Sequence, residues 1–288
     1  MGPSLSRIAG EGLTTGLRQA VIFALPLYDD NPIQEAPVVT YGLIGMCIGA
    51  FLWQLGQNAD VVALQYGMIP AVLFGHAHLS PRLAAIPPWA TIFTSMFLHG
   101  GWLHLGGNLL FLWIFGNNVE DLLGRARYLL LYLSCGVAAA LIQAMADPLS
   151  QVPMIGASGA IAGVLGAYLL IYPWANVHCL LWIVIFFWIV TVPAWVLLGL
   201  WFAMQLLSGL VSGPHAPGVA FWAHVGGFAS GVVLMLLMRP RRVMLWHAQK
   251  SPIFAATSPS ALRGRRTFHG GSVPSAGQRY PRPPSPWN

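Results

Sequence analysis

The sequence contains little charge, and one long stretch contains none. Only 8% of the 288 residues are charged and 56% are hydrophobic, whereas about a quarter of the residues in soluble domains are charged. Between Asp147 and Arg239 the chain has no Asp, Glu, Lys or Arg. This deficit excludes an ordinary soluble domain and indicates that lipid surrounds most of the chain. It also leaves residues 148–238 without any carboxylate group.

Cysteine is scarce, and the usual metal-binding motifs are missing. Two histidines of one connecting segment, His76 and His78, have no nearby carboxylate or thiol partner in sequence, which makes them a weak signal for a metal. No His-Glu-x-x-His pattern occurs. The sequence therefore predicts neither a metal nor another cofactor. The cysteines lie in apolar segments at spacings that suit neither a zinc site nor a disulfide framework, so we expect them to be buried as small apolar side chains: Cys47, Cys135 and Cys179.

Several apolar runs approach the roughly 20 residues needed to cross a bilayer. The sequence predicts six spans, at about 38–55, 102–115, 128–145, 158–172, 193–210 and 219–238. Residues 179–192, before the fifth span, suit a helical, an extended or a re-entrant segment, and the sequence leaves these alternatives open. The connection over 56–99 is unusually long for a plain connector, which hints at a function.

The distribution of positive charge tests the number of spans. With six spans and the N-terminus inside, thirteen of the fourteen Lys and Arg residues lie on the inner side, and only Arg82 lies outside. A seven-span alternative, with two crossings divided at Pro193, would put the basic tail outside, against the positive-inside rule. Six spans are therefore favoured, with both termini cytoplasmic.

Three regions follow from this pattern. Residues 1–36 form an N-terminal cytoplasmic or interfacial segment, and residues 37–240 form the six-span domain. Residues 241–288 form a basic, Pro/Ser-rich tail that we expect to be disordered and cytoplasmic. Although the net charge is +6, nine of the basic residues follow residue 238, where they suit contacts with anionic membrane lipids. No nucleic-acid partner is predicted.

Ser158 lies in the sequence Gly156-Ala157-Ser158-Gly159, where the fourth span is expected to begin. The first turn of a helix presents free backbone N–H groups and a partial positive charge, so the Ser158 amide could face a developing oxyanion. Alternatively, Gly159 and Gly163, four residues apart, form a small-residue face for helix packing. The two interpretations are compatible.

His224 lies in the sixth span, where an ionisable side chain is costly and usually functional. Ala223, Gly227 and Gly231 are small residues at four-residue spacing, so this helix and that of Ser158 are expected to approach closely. Close packing would permit a serine–imidazole hydrogen bond, as in a nucleophile and its general base. A structural histidine that bridges two helices is the alternative.

His104 and Asn108 are four residues apart and share one face of the second span. With the Ser158 backbone amide, their hydrogen-bond donors suit an oxyanion hole, although Asn108 alone would more often join two helices. Because residues 148–238 contain no carboxylate, the sequence predicts a Ser-His dyad unless Asp60 or Asp147 folds back. His224 is then held by packing or by neutral partners.

Three motifs in matching order resemble those of the rhomboid intramembrane serine proteases. They are HGGWLHLGGN at residues 99–108, GASG at 156–159 and AHVGG at 223–227, and the similarity covers about residues 38–240. WIFGNNVED at 113–121 and PAW at 193–195 resemble the bacterial branch. Some members have an aromatic residue one turn after the serine that stacks on the histidine, and Ala162 stands there in this chain.

The resemblance implies an all-α integral membrane protein with a six-transmembrane-helix rhomboid-type bundle. It implies Ser158 as nucleophile, His224 as general base, and His104 and Asn108 as oxyanion partners. Transmembrane protein substrates would be cut near the outer membrane face, and the location would be the bacterial inner membrane. The alternative is a non-catalytic rhomboid-like membrane chaperone or transporter, which would be expected to lack the serine or the histidine.

Overall fold

The structure, a computed structural model, describes residues 23–183, 186–212 and 219–240, together with residue 245. The chain divides into two units, Met1–Ser251 and Pro252–Asn288, and the second unit lies wholly outside the described residues. The first 22 residues of the predicted N-terminal segment, and all of the predicted tail except Leu245, also lie outside them.

Twelve elements make up the described part of the chain. In order they are β1 (Phe23–Asp29), α1 (Val38–Leu55), α2 (Ala59–Tyr66), α3 (Pro70–Leu73), α4 (Thr91–Thr94), α5 (Trp102–Leu123), α6 (Arg125–Ala146), α7 (Ser158–Ile171), β2 (Asn176–Ile183), β3 (Phe186–Pro193), α8 (Ala194–Ser212) and α9 (Phe221–Met238). Short 3₁₀ turns at Pro88–Ala90 and Ser95–Phe97 flank α4.

Six long helices begin within three residues of the six predicted spans: α1, α5, α6, α7, α8 and α9. Four of them, α1, α6, α8 and α9, are long and apolar enough to cross a membrane by length and composition. Helix α7 is apolar but has only 14 residues. The chain is mostly helical, and its apolar helices are those of an integral membrane protein.

Helix α5 continues eight residues beyond the predicted end at residue 115. The polar run that was expected to close this span lies inside the helix, because its carboxylate groups have partners on the neighbouring segment. The Glu120 carboxylate accepts hydrogen bonds from the backbone N–H groups of Val39 (2.9 Å) and Thr40 (2.8 Å) and from the Thr40 hydroxyl. A carboxylate from α5 therefore caps the first turn of α1, whose own N-cap residue, Pro37, offers no side-chain hydrogen bond.

The prediction of an all-α protein is wrong in one respect, because a three-stranded antiparallel sheet accompanies the helices. Strand β2 lies in the middle, with Asp29 of β1 opposite Val177 and Phe186 of β3 opposite Ile183. Strands β2 and β3 include residues 179–183 and 186–192 of the segment for which the sequence left three conformations open. The run is rich in Val, Ile, Phe and Trp, which favour strands, and Pro173 and Pro193 separate it from the helices on either side.

Helix α7 lies at the centre of the bundle, and eleven of its 14 residues are buried. The predicted close approach of the fourth and sixth helices is present in the structure. A side-chain Cβ at Gly227 would collide with the backbone carbonyl of Gly159, and one at Gly231 would collide with that of Gly163. The backbones of α7 and α9 therefore touch where glycine leaves room. The three cysteines are buried free thiols, as expected.

Candidate active site

Ser158 is the first residue of α7, and the loop before it is firmly held. Met154 and Met68 exchange two backbone hydrogen bonds of 3.0 and 2.8 Å, and the Gly156 N–H donates to the Ser95 carbonyl (2.8 Å). Gly156 has φ of +130°, which L side chains rarely adopt. Because α7 begins at Ser158, the backbone N–H of this serine is one of the free donors of a helix N-terminus.

The structure brings Ser158 and His224 together. His224 lies in the first turn of α9, and its Nε2 atom is 2.8 Å from the Ser158 Oγ atom. The two residues are 66 positions apart in the sequence, and the packing of α7 against α9 brings them together. Among the pairs expected from the sequence, this one has the geometry required for a hydroxyl and the base that takes its proton.

The other ring nitrogen of His224 contacts a residue that the sequence analysis missed. His224 Nδ1 lies 2.8 Å from the Gln205 Oε1 atom. Trp201, one turn earlier on α8, places its ring 5.7 Å from the His224 ring, measured between centroids. A neutral partner for His224 was expected without a residue being named. The available signal was Gln205 itself, a lone amide side chain in the otherwise apolar middle of a predicted span.

His104 directs one ring nitrogen toward the nucleophile. Its Nδ1 accepts a hydrogen bond from the Gly100 backbone N–H (3.2 Å), so in the neutral ring the proton lies on Nε2. A Cβ added at Gly156 would be 2.9 Å from that Nε2 atom and 3.7 Å from the Ser158 Oγ. The Nε2–H of His104 is thus a donor beside the reacting hydroxyl, and glycine at 156 leaves the space between them open.

His99 holds the segment that leads into α5. Its backbone N–H and carbonyl both bond to the Gln54 side-chain amide, at 3.0 and 3.2 Å. The His99 ring packs edge-on against the His104 ring, with 5.3 Å between centroids. Burial, together with the neighbouring His104, lowers the pKa of His99 to about 4. His99 is therefore neutral at neutral pH and adds no charge beside His104.

Asn108 is buried one helical turn beyond His104, and its side chain bonds within its own helix. The Asn108 Nδ2 group donates to the His104 carbonyl (2.9 Å). An amide carries two N–H groups, and this bond uses one of them. The predicted role of Asn108 as an oxyanion donor thus stays a prediction, whereas Ser158, His224 and His104 share one cavity.

That cavity has a volume of about 540 Å³ and lies between α6, α7, α9 and the 150–156 loop. Small residues form much of its wall, among them Gly136, Ala139, Gly159, Ala160 and Ala223. Gln143, another residue missed in the sequence analysis, also lines it and accepts a hydrogen bond from the Ala223 backbone N–H (3.1 Å). The cavity therefore leaves open space beside Ser158.

The described part of the chain contains no candidate metal site, because no group of three or more His, Cys, Asp and Glu side chains there is suited to hold an ion. The site offers a hydroxyl, an imidazole and several N–H donors. These are the groups used in acyl transfer through a serine nucleophile.

Comparison with known proteins agrees with this chemistry. A family model described as the Rhomboid domain matches residues 87–241. The chain is 33% identical over 159 residues to the Rhomboid-like protein 11, chloroplastic, of Arabidopsis thaliana, which covers 53% of each chain. It is 41% identical over 87 residues to the Rhomboid protease GluP of Bacillus subtilis, covering 30% of this chain and 17% of that protein.

The relatives come from several branches. Rhomboid protein 1, mitochondrial, of Saccharomyces cerevisiae is 28% identical over 144 residues, or 48% of this chain and 38% of the relative. Plant, fungal and bacterial chains are all similar, so the comparisons do not single out the bacterial branch suggested by the sequence. The chain spans about half or less of the length of these three relatives.

Proposed function

Because the chain belongs to the rhomboid family, we propose that it is an intramembrane serine endopeptidase that cleaves transmembrane proteins by a Ser158–His224 dyad. The observation that carries this proposal is the 2.8 Å contact between Ser158 Oγ and His224 Nε2 at the wall of a cavity. Both helices that supply the pair are apolar. The reaction class is peptide-bond hydrolysis through an acyl-enzyme.

In the first half of the reaction, His224 Nε2 takes the proton of the Ser158 hydroxyl as Oγ attacks the peptide carbonyl carbon. The tetrahedral intermediate carries one negative charge on the former carbonyl oxygen. It collapses when the C–N bond breaks and His224 gives its proton to the leaving amine. Water then attacks the acyl-enzyme by the same proton path and releases the carboxylic acid and free Ser158.

The oxyanion would lie between three donors. The His104 Nε2 atom and the Ser158 Oγ atom both border the space at Gly156, and the Ser158 backbone N–H lies at the positive end of the α7 helix dipole. The second N–H of the Asn108 side chain is the third donor in this proposal. These donors are neutral, so they add no charge to the apolar surroundings.

We infer six membrane spans, with Ser158 and His224 below the outer surface. Helix α7 has 14 residues, or about 21 Å at 1.5 Å per residue, against a hydrocarbon thickness of about 30 Å. A helix this short begins inside the membrane profile, and the cavity at its N-terminus supplies water. The positive charges on the opposite side support cytoplasmic termini, and the location proposed is a bacterial inner membrane.

The cavity suits an unwound stretch of a single-span membrane protein. A helical substrate has its backbone groups engaged, so it must unwind before a carbonyl can reach Ser158. By its resemblance to the rhomboid family, the chain is expected to prefer substrates with a small residue before the cut and helix-breaking residues after it, since the latter favour unwinding.

The test is cleavage of a model single-span protein in detergent or proteoliposomes by wild type, Ser158→Ala and His224→Ala. Matched controls are Ser230→Ala, whose hydroxyl bonds to the Gly227 carbonyl on another face of α9, and the exposed His76→Ala. We expect the two controls to cleave and to react with a fluorophosphonate like wild type, and both site variants to fail. Equal cleavage by all five proteins would contradict the Ser158–His224 dyad, and no cleavage by wild type would favour the non-catalytic chaperone or transporter.

A further inference from the structure

The Ser158–His224 pair needs a third group that fixes the proton on one nitrogen of the imidazole. A neutral imidazole can carry its single proton on Nδ1 or on Nε2. Only the form with the proton on Nδ1 leaves a lone pair on Nε2 to take the proton of Ser158. Serine proteases commonly fix that form with a buried carboxylate, and residues 148–238 contain none.

We propose that Gln205 is the positioning residue of this site, and that its side-chain oxygen holds His224 in the form that can activate Ser158. The proposal rests on the proposed function above. Two contacts of equal length run through the imidazole, from Gln205 Oε1 to Nδ1 and from Nε2 to Ser158 Oγ, each 2.8 Å. With the amide oxygen toward the ring, Nδ1–H donates to Gln205, and Nε2 accepts from Ser158.

The orientation of the Gln205 amide therefore decides whether the pair is productive. If the amide turned over, its NH₂ group would face Nδ1 and would require a lone pair there. The proton would then lie on Nε2, which could only donate to the serine oxygen and could not act as a base. Glutamine can adopt both orientations, whereas a carboxylate can only accept.

Helix α8 also supplies an aromatic residue that lies beside the His224 ring. Trp201 and Gln205 are four residues apart, so they share one face of α8, and the Trp201 ring lies 5.7 Å from that of His224 at a tilt of 39°. In this chain the place one turn after the serine is Ala162, so Trp201 is the aromatic group beside the imidazole. Helix α8 thus supplies both the hydrogen-bond partner of His224 Nδ1 and the aromatic ring beside the imidazole.

The choice of an amide follows from the surroundings. Gln205 lies in an apolar helix, where an ionised carboxylate would be costly, and a neutral amide avoids that cost. An amide also stabilises the imidazolium less than a carboxylate would, so its loss should be less severe than the roughly 10⁴-fold effect known for a triad carboxylate. The titratable side chain that faces His224 from the other helices is His104 of α5, and Gln143 and Trp201 are neutral.

The experiment compares Gln205→Met, which removes the hydrogen bond at similar volume, with Gln205→Glu, which can only accept. Met204→Leu, at the exposed neighbouring position of the same helix, is the control for disturbance of α8. For Gln205→Met we expect kcat to fall by about 10- to 100-fold with KM changed less than about twofold, because orientation matters mainly in the transition state.

Gln205→Glu should retain cleavage, and the acidic limb of its pH–rate profile should move to higher pH, since a carboxylate beside the imidazole favours the protonated ring. A merely structural role for Gln205 would not produce that shift. Unchanged kcat in Gln205→Met would overturn the proposal. So would an equal fall in both Gln205 variants with an unmoved pH profile, or an equal fall in Met204→Leu.

A second readout separates this inference from the proposed function. The ¹⁵N shifts of the His224 ring, identified by their loss in His224→Ala, report which nitrogen is protonated. We expect the Nδ1–H form in wild type and a mixture of forms in Gln205→Met. If wild type cleaves no substrate but shows this change, the endopeptidase proposal fails and the positioning role stands. Identical ring shifts in wild type and Gln205→Met would overturn the positioning role itself.

Discussion

The two ends of the helix bundle are built from different polar chemistry. At the end where α5 and α7 begin, neutral side chains form the contacts of the site, with Ser158 of α7, His224 of α9 and Gln205 of α8 in one chain. Asp147, at the end of α6, is a buried carboxylate at this end, outside that chain. At the other ends of α5 and α7, carboxylates form the contacts. Glu120 accepts hydrogen bonds from the first turn of α1, and Asp29 accepts one from the Tyr168 hydroxyl (2.5 Å). His104 and Glu120 are 16 residues apart on one helix, or about 24 Å.

This difference in polar groups indicates a separate role for each end of the helix bundle. Carboxylates that accept backbone N–H groups fix one segment against another, as Asp121 does by accepting from Gln34 and Glu35 at 3.1 and 2.9 Å. At the other end, an ionised group would oppose the charge that develops on the oxyanion and would raise the cost of burial in an apolar helix. We infer that the carboxylate end stabilises the bundle, and that the neutral end performs the chemistry.

The largest expected effect is at the neutral end. Ser158→Ala should reduce kcat by at least about 10³-fold, because among the described residues no other hydroxyl is bonded to His224, while the thermal midpoint changes little. Initial rates of cleavage would check the fall in kcat, and differential scanning fluorimetry on the same preparation would check the thermal midpoint. A large loss of thermal stability in Ser158→Ala would show that the hydroxyl also supports the fold, and the division between the two ends would fail.

The next largest effect is expected for Asn108→Ala, which tests whether this residue takes part in the reaction. If the second Asn108 N–H reaches the oxyanion, kcat should fall by roughly 10- to 10³-fold with little change in KM, as for other lost oxyanion donors. Single-turnover cleavage of the model substrate would measure this. Asn117→Ala, at an amide further along α5, is the matched control. Unchanged turnover in Asn108→Ala would limit this residue to its bond with the His104 carbonyl.

Glu120→Ala tests the carboxylate end. It removes three hydrogen bonds of a buried carboxylate to Val39 and Thr40, so we expect a loss of about 3 kcal/mol of stability. The kcat of the molecules that remain folded should stay near that of wild type. Denaturation in detergent micelles would give the stability. Glu35→Ala is the control, because that exposed residue bonds through its backbone N–H, and an equal loss there would contradict the assignment.

The smallest expected effect is a pH dependence at the same end. Burial, with Asp30 adding to it, raises the pKa of Asp29 to about 7, against roughly 3.9 for a free aspartate. Between these values the folded chain holds a proton that the unfolded chain has lost. Stability should therefore fall as the pH rises from about 4 to 7 and become level above that.

Asp29→Asn should remove that slope, because an amide does not ionise, while the exposed Asp60→Asn should keep it. The measurement is the thermal midpoint at several pH values, for which a difference of a few degrees is expected. Parallel curves for wild type and Asp29→Asn would show that Asp29 does not carry a proton in the folded state.

Much of the helical frame could be predicted because its signals are local. The four-residue spacing of Gly227 and Gly231 indicated the α7–α9 contact, and the start of α7 was visible in the residues before Ser158. The end of α5 was predicted too early, because Glu120 and Asp121 were taken as residues that close a span. Their partners lie 80 or more positions away, and the sequence near α5 gives no indication of them.

The sequence by itself determined that this chain is a largely helical membrane protein of the rhomboid family, with Ser158 and His224 on helices able to pack closely. Composition, periodicity and short motifs carry that information in consecutive residues. Only the tertiary structure decided that Gln205 faces His224, that residues 176–183 and 186–193 pair as antiparallel strands, and that Asp29 reaches Tyr168, 139 positions away. Such partners depend on how each helix is rotated and packed against its neighbours, and a hydrogen bond forms or fails over less than 1 Å.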